Sequence, residues 1–388
     1  MRNLECKYFN ICGGCSLLNV DYEKQLKQKQ QQVVDAFSEF GINAKVENTI
    51  GMFYPYKYRN KVHLAIRDVK GKPQVGFFEE NSNKIVDVDD CLLHDSWVKS
   101  LIGITREFIR RFKISPYNKR KNIGTLKYVV ARKLGNEIMV TMVVTTPSFS
   151  GRDWFYDELV KAFKNVSFYI NINTRTDNAV FDDNFVHKAG FKKLRGEMLG
   201  VKFELSPNSF FQINTQITEK IYRQIFETLN INDKSIILDL YSGIGITSLV
   251  FAKNGAKVVS IESVPEAVND AKNLIKLNKC ENLITPMLGK CEVLINRINY
   301  RKLYKQDGLV SVFLDPPRIG AQVSVLEEIN KLNPYKLVYL SCNPKTLARD
   351  LKVLTGYGFK IETVQPFDMF PHTNHVETLV CLNKSFNN

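Results

Sequence analysis

The chain has no apolar run approaching membrane-spanning length, no internal repeat and no low-complexity tract. These absences argue against a helical membrane protein, a repeat array and a disordered polypeptide. The N-terminus, Met1-Arg2-Asn3-Leu4-Glu5-Cys6, lacks a signal-peptide pattern. The expected location is therefore cytoplasmic, with no membrane and no obligate protein partner. There the eight cysteines stay reduced or bind metal rather than form disulfides. Acidic residues are also in short supply. Forty Asp and Glu face 54 Lys and Arg, a net charge of +14 that calls for an anionic partner.

The excess is uneven. Residues 1–205 carry 33 Lys and Arg against 23 Asp and Glu, and the chain from Ser206 onward carries 21 against 17. In the front half, Arg106, Arg110, Arg111, Lys113, Lys119, Arg120 and Lys121 interleave with Phe108, Phe112 and Tyr117. A second cluster runs from Tyr54 to Lys61. Basic groups neutralise phosphates and aromatic rings stack on splayed bases, so RNA is one reading; a solvated charged face is the other.

Three regions differ in texture. Residues 1–50 hold clustered cysteines and then a helix that Asp21 caps and Gly41 stops, with Leu26, Val33, Val34 and Phe37 as its apolar face. Residues 51–205, including Cys91, alternate short β-like runs with a helical pattern from Trp97 to Phe112, as in an α+β domain of mainly antiparallel sheet. Residues 206–388 alternate strand and helix patterns from Thr215 onward, which predicts a doubly wound parallel α/β sheet. The last two strand candidates, Phe359–Val364 and Val376–Leu382, have no helix between them and suit an antiparallel pair.

In that third region, chemistry gathers at predicted strand ends. Leu309–Leu314 runs into Asp315-Pro316-Pro317-Arg318, and Leu337–Ser341 runs into Cys342-Asn343-Pro344. Ligands of open α/β sheets bind beyond the carboxyl ends of the strands, so a thiol and a carboxylate delivered there read as reactive groups. Leu238-Asp239-Leu240-Tyr241-Ser242-Gly243-Ile244-Gly245 reads as strand, glycine turn and helix start, where a ligand approaches the backbone. Glu262, 17 residues beyond Gly245, is placed to accept from ribose hydroxyls. The glycines alone do not separate NAD from S-adenosylmethionine. The lack of a hydride-transfer constellation, together with Asp-Pro-Pro and a nucleophilic cysteine, favours the latter.

Five residues separate Cys6 from Cys12 and two separate Cys12 from Cys15; Cys91 is a distant fourth thiol. Four thiolates suit either zinc or a [4Fe–4S] cluster, and spacing does not choose. A radical enzyme would carry Cys-x-x-x-Cys-x-x-Cys, which is missing.

Taken together, Asp315-Pro316-Pro317-Arg318, Ser341-Cys342-Asn343-Pro344, Thr346-Leu347-Ala348-Arg349-Asp350 and Asp368–Glu377 resemble the S-adenosylmethionine-dependent RNA uracil-5-methyltransferase family. The resemblance implies a class I (Rossmann-like) methyltransferase domain behind a cluster-bearing front region. It implies Cys342 as nucleophile and Glu377 as base. Gln212, Tyr241, Gly243, Gly245, Glu262 and Asp315 would contact S-adenosylmethionine, with Gln212 lying in Ser206–Asn214. Cys6, Cys12, Cys15 and Cys91 would hold a [4Fe–4S] cluster, with zinc as the alternative. The family's cluster-bearing members point to 23S rRNA as the partner and 5-methyluridine as the product. A tRNA methyltransferase, a non-catalytic RNA-binding assembly factor and a cluster-using oxidoreductase are the other readings.

Overall fold

A computed structural model describes residues 5–299 and 309–384 and divides into two compact units. One comprises the chain up to Val20 with Tyr54–Gly196 and Glu204–Thr215. The other comprises Asp21–Phe53, Glu197–Phe203 and the chain from Gln216 onward.

The first unit is built on seven strands: β1 (Lys61–Val69), β2 (Lys72–Phe78), β3 (Ile85–Asp87), β4 (Leu126–Leu134), β5 (Glu137–Val144), β6 (Asn165–Ile172) and β7 (Phe185–Ala189). They lie in the order β3-β2-β1-β4-β5-β6-β7. Every pairing is antiparallel except β5 with β6, which the helix α3 (Arg152–Phe163) joins as a crossover. α2 (Trp97–Phe112) also packs on this sheet, burying Val98, Leu101 and Phe108 against Val129, Val140 and Phe168. The expected antiparallel character therefore holds. A hairpin, β8 (Leu194–Met198) with β9 (Val201–Leu205), follows.

In the second unit the strands are β10 (Ile236–Leu240), β11 (Lys257–Glu262), β12 (Ile284–Leu288), β13 (Val310–Leu314), β14 (Lys336–Ser341), β15 (Phe359–Phe367) and β16 (Glu377–Lys384). Their order is β12-β11-β10-β13-β14-β16-β15. β10 to β14 are mutually parallel, and the inner strands β10, β13 and β14 have the near-continuous apolar sequences of strands buried on both faces. Helices α4 (Thr215–Leu229), α5 (Ile246–Lys253), α6 (Pro265–Leu277), α7 (Cys291–Leu294), α8 (Val323–Leu332) and α9 (Pro344–Gly356) complete the alternation. This is the expected Rossmann-like methyltransferase architecture. β16 runs antiparallel to both neighbours and inserts between β14 and β15, so it is an inner strand.

α1 (Tyr22–Glu39) begins at Asp21, whose carboxylate accepts the N–H groups of Glu23 (3.0 Å) and Lys24 (3.4 Å). Its buried stripe is Gln25, Lys29, Val33, Ala36 and Phe37. Leu26 and Val34, expected on that face, are only partly covered, and two polar residues lie inside instead. Val33 and Phe37 join the second unit's core beside Leu347 and Leu351. Among the described residues no helix is long and apolar enough to cross a membrane.

Candidate active site

The parallel strands β10, β11, β13 and β14 all end at one edge of the second unit's sheet, and the antiparallel β16 begins there. Topology alone thus delivers Tyr241, Glu262, Asp315, Cys342 and Glu377 to one rim.

The glycine turn after β10 departs from ordinary backbone at three residues. Tyr241 (φ 62°), Gly243 (φ 55°) and Gly245 (φ 80°) occupy the left-handed region, which glycine enters without steric cost. A Cβ added at Gly243 would meet nothing within 4 Å, so the turn borders open space. Glu262 ties this turn to the end of β11. Its Oε2 accepts from Gly243 N–H (2.9 Å), and its Oε1 accepts from Ser263 N–H (2.6 Å) and Val264 N–H (2.8 Å). Beneath the turn, Asp239 is fully buried and its Oδ2 accepts the hydroxyls of Thr247 (2.7 Å) and Ser248 (2.5 Å). Its Oδ1 has no hydrogen-bond partner among the described residues. Burial pushes the Asp239 carboxyl up to about 6. The Tyr241 side chain turns into the protein, against the second unit's core and near Gln322. Its burial holds the phenol above its ordinary range.

Cys342 follows β14 directly. The register pairs Ser341 with Thr378, so one further step sets Cys342 level with Glu377. Glu377 is 5% exposed. Burial first, and then Asp315, push its carboxyl up to about 8, opposed by Arg318. Burial and the nearby Asp239 push Asp315 up to about 7. The Cys342 thiol is also raised, by burial and then by Glu377, and Arg318 works in the opposite direction. One exposed guanidinium therefore favours the charged forms of both the thiol and the carboxyl. Tyr222, half-buried near Asp315 and Asp239, had no signal in the sequence.

The Thr346–Asp350 run explains itself as a clamp. The Arg318 carbonyl accepts from Asn343 Nδ2 (3.2 Å) and Thr346 Oγ1 (3.1 Å). Arg349 Nη2 donates to the carbonyls of Ile319 (2.9 Å) and Ala321 (3.3 Å). Asp350 Oδ2 accepts from Ala321 N–H (2.8 Å) and Tyr339 OH (2.6 Å). Gly320 lies under this clamp at φ 81°, and a Cβ there would come within 2.6 Å of both Arg349 and Asp350. The two proline-bounded segments are thus one fastened structure.

The turn between β15 and β16 is equally fixed. Asp368 N–H donates to Ile50 O (2.9 Å), and Thr373 Oγ1 donates to Phe370 O (2.8 Å). His372 is buried and its N–H donates to Gln25 Oε1 (3.0 Å), which ties it into the loop.

In the first unit, Cys6, Cys12, Cys15 and Cys91 line one cavity of about 220 Å³, with Arg59, Phe77, Leu93 and His94 in its wall. Burial pushes Cys15 up to about 12 and Cys91 up to about 11, with Arg59 opposing both. No group of three or more His, Cys, Asp or Glu among the described residues is set to hold a metal ion. Gln212 also lies in the first unit, where its carbonyl accepts from Asn60 Nδ2 (2.9 Å).

The basic cluster around α2 is partly compensated. Arg106 pairs with Asp87 (2.8 Å) and Asp89 (2.7 Å), Arg110 pairs with Glu107 (2.6 Å), and Arg111 lies over the Trp154 ring (5.3 Å). A different group is less compensated. Lys61, His63 and Arg132 neighbour one another on β1 and β4, and burial lowers Lys61 to about 7 and His63 to about 3. Arg132 Nε is buried with no hydrogen-bond partner among the described residues.

Residues 21–385 match the family described as tRNA (uracil-5-)-methyltransferase, a span that leaves Cys6, Cys12 and Cys15 outside it. The chain is 34% identical to an "uncharacterized RNA methyltransferase" of Bacillus cereus, over 99% of this chain and 83% of the relative. It is 36% identical to another so described from Halalkalibacterium halodurans, over 97% and 82%. Among solved structures it is similar to the Pyrococcus abyssi tRNA (uracil-54, C5)-methyltransferase in complex with S-adenosyl-L-homocysteine. The TM-score is 0.78 at 28% identity, covering 96% of this chain and 86% of that one. With fold and matched span in agreement, the chain belongs to the tRNA (uracil-5-)-methyltransferase family, enzymes that transfer a methyl group from S-adenosylmethionine to uracil in RNA.

Proposed function

We propose that this enzyme makes 5-methyluridine in RNA by covalent catalysis, with Cys342 as nucleophile and Glu377 as eliminating base. The observation that carries the reading is the β14–β16 register, which sets the two side chains level at the ligand-binding rim. Uracil C5 is too weak a nucleophile to attack a sulfonium unaided. The Cys342 thiolate adds to C6, and the C5–C6 π electrons then make C5 nucleophilic. C5 takes the methyl group, leaving both a methyl and a proton on C5. Glu377 removes that proton, the double bond reforms, and the C6–S bond breaks to return the thiolate. Arg318 supports the thiolate and, at the elimination step, the ionised carboxylate.

S-adenosylmethionine supplies an electrophilic methyl group when bound. The open glycine turn fits it, and Tyr241 (through its backbone), Gly243, Gly245, Glu262 and Asp315 are the second-unit residues assigned to hold it. In the first unit, Cys6, Cys12, Cys15 and Cys91 are assigned to a [4Fe–4S] cluster. Four thiols lining one cavity fit a four-thiolate centre, and the family resemblance selects [4Fe–4S] over zinc. Its role is structural.

The proposed substrate is 23S rRNA, which follows from the four cysteines and the family resemblance. The similarity to a tRNA enzyme favours tRNA as the second reading. Wild-type protein and Cys342→Ala are to be incubated with labelled S-adenosylmethionine and undermodified rRNA or tRNA. Label in 5-methyluridine of 23S rRNA, and none with Cys342→Ala, is expected. Label confined to tRNA selects the second reading, and full activity of Cys342→Ala refutes the mechanism.

A further inference from the structure

Helix α1 lies outside the strand–helix alternation of the second unit, yet it buries two polar side chains one turn apart. Gln25 and Lys29 are both fully buried, on the stripe where an amphipathic helix places apolar residues. Buried polar groups are costly unless partnered, and both have partners on one turn, 368–376. Gln25 Oε1 accepts the His372 N–H (3.0 Å), and Gln25 Nε2 lies 3.1 Å from His372 Nδ1. Lys29 forms an ion pair with Asp368, both side chains fully buried, and donates to Phe370 O (3.1 Å). Asp368 directly follows Phe367, the residue paired in register with Glu377. The far end of the same helix reaches the nucleophile's helix, where Glu39 pairs with Lys345 at 2.9 Å.

An ion pair buried this completely is a poor source of stability, because desolvation offsets most of the attraction. Its better use is to fix one arrangement. We propose that α1 is a brace for the reaction: Gln25 and Lys29 are positioning residues that, through His372 and Asp368, hold the turn presenting Glu377 opposite Cys342. The inference rests on the assignment of Cys342 and Glu377 above. The step it serves is the elimination, in which Glu377 takes the C5 proton. The C–H electron pair becomes the C5–C6 double bond, and the C6–S electrons return to Cys342.

The test uses the full-length protein in single-turnover assays with labelled S-adenosylmethionine and RNA substrate. The double variant Lys29→Met/Asp368→Asn removes the ion pair without leaving a buried unpaired charge. Methyl transfer and the KM for RNA stay near wild type. Elimination slows by roughly 10²-fold, the loss that a shift of about 1 Å in a reacting group brings. A methyl-labelled covalent enzyme–RNA adduct therefore accumulates. Gln25→Leu, which leaves the ion pair intact, gives the same adduct to a smaller extent and decides the matter if the double variant does not fold. A folded variant that eliminates at the wild-type rate overturns the brace. So does one that loses methyl transfer and elimination in equal proportion, the mark of a merely structural role. Glu377→Gln is run alongside. If it traps adduct and the brace variants do not, only the brace fails; if it too traps none, the assignment of Glu377 fails and the brace falls with it.

Discussion

Replacing Glu377 by Gln should stabilise the free enzyme while stalling its reaction, and the stabilisation should depend on pH. Glu377 is raised from 4.5 to about 8 by burial and by Asp315. Below pH 4.5 the folded and unfolded states both hold the proton, and the carboxyl costs nothing. Between 4.5 and about 8 only the unfolded state ionises, so stability falls as pH rises and the loss is complete above about 8. At about 1.4 kcal/mol per pH unit, that is roughly 3 kcal/mol at pH 7 and a ceiling of about 5 kcal/mol. Gln mimics the neutral acid and escapes this penalty. At roughly 2–4 °C per kcal/mol, the melting temperature should rise by roughly 6–12 °C at pH 7. Calorimetric melts of both proteins at pH 5 and pH 8 provide the measurement. The reasoning is refuted if the difference in Tm is the same at the two values, or if the variant is the less stable at pH 8.

The same carboxyl must be ionised to act as base, so in the wild type the elimination rate should rise with pH, pass its half-maximum near 8 and level off above it, as quench-flow loss of adduct would record. Gly320→Ala should lower turnover by roughly 10²-fold, because the new methyl group collides with the Arg349–Asp350 clamp and shifts Arg318; unchanged kcat would contradict that account. Cys12→Ser or Cys15→Ser should abolish the brown colour and the iron content of anaerobically purified protein and lower its melting temperature; zinc in the wild type instead would overturn the cluster assignment. Lys61→Ala should weaken RNA binding across sequences and reduce the slope of log K against log salt by about one at about pH 6, where the amine is charged, and by less at about pH 8, with titrations at several salt concentrations as the check.

Much of this fold was legible in the sequence because its strands are short apolar runs with sharp stops. Val310–Leu314 ends at a double proline and Lys336–Ser341 ends before Asn-Pro, so the edges bearing Asp315 and Cys342 could be read directly. The pairing of Glu377 with that edge followed from a loop too short for a crossover. The insertion of β16 between β14 and β15 did not, because strand order depends on packing between elements far apart in sequence. α1 was visible as a helix through its cap and its stop, but its inner face was not. Gln25 and Lys29 look solvent-facing until their partners at 368–372 are known, 339 residues further on for Lys29. Which charges of the basic clusters are compensated was hidden for a related reason. Arg106 and Arg110 find acids within the same fold, while Lys61, at the end of the second cluster, neighbours Arg132 on the adjoining strand, a pairing that sequence does not show.

The clamp on the Asp-Pro-Pro-Arg segment grips Arg318 by its carbonyl and leaves the guanidinium exposed. Position and identity are therefore separable at this residue. A different side chain could stand at the same height beside Cys342 without any change in the hydrogen bonds that set the backbone. Evolution, or an engineer, could thus retune which nucleobase edge is met, or how readily the thiol ionises, by one substitution that leaves the scaffold as it is. A residue gripped through its side chain, as Lys29 is, has no such freedom.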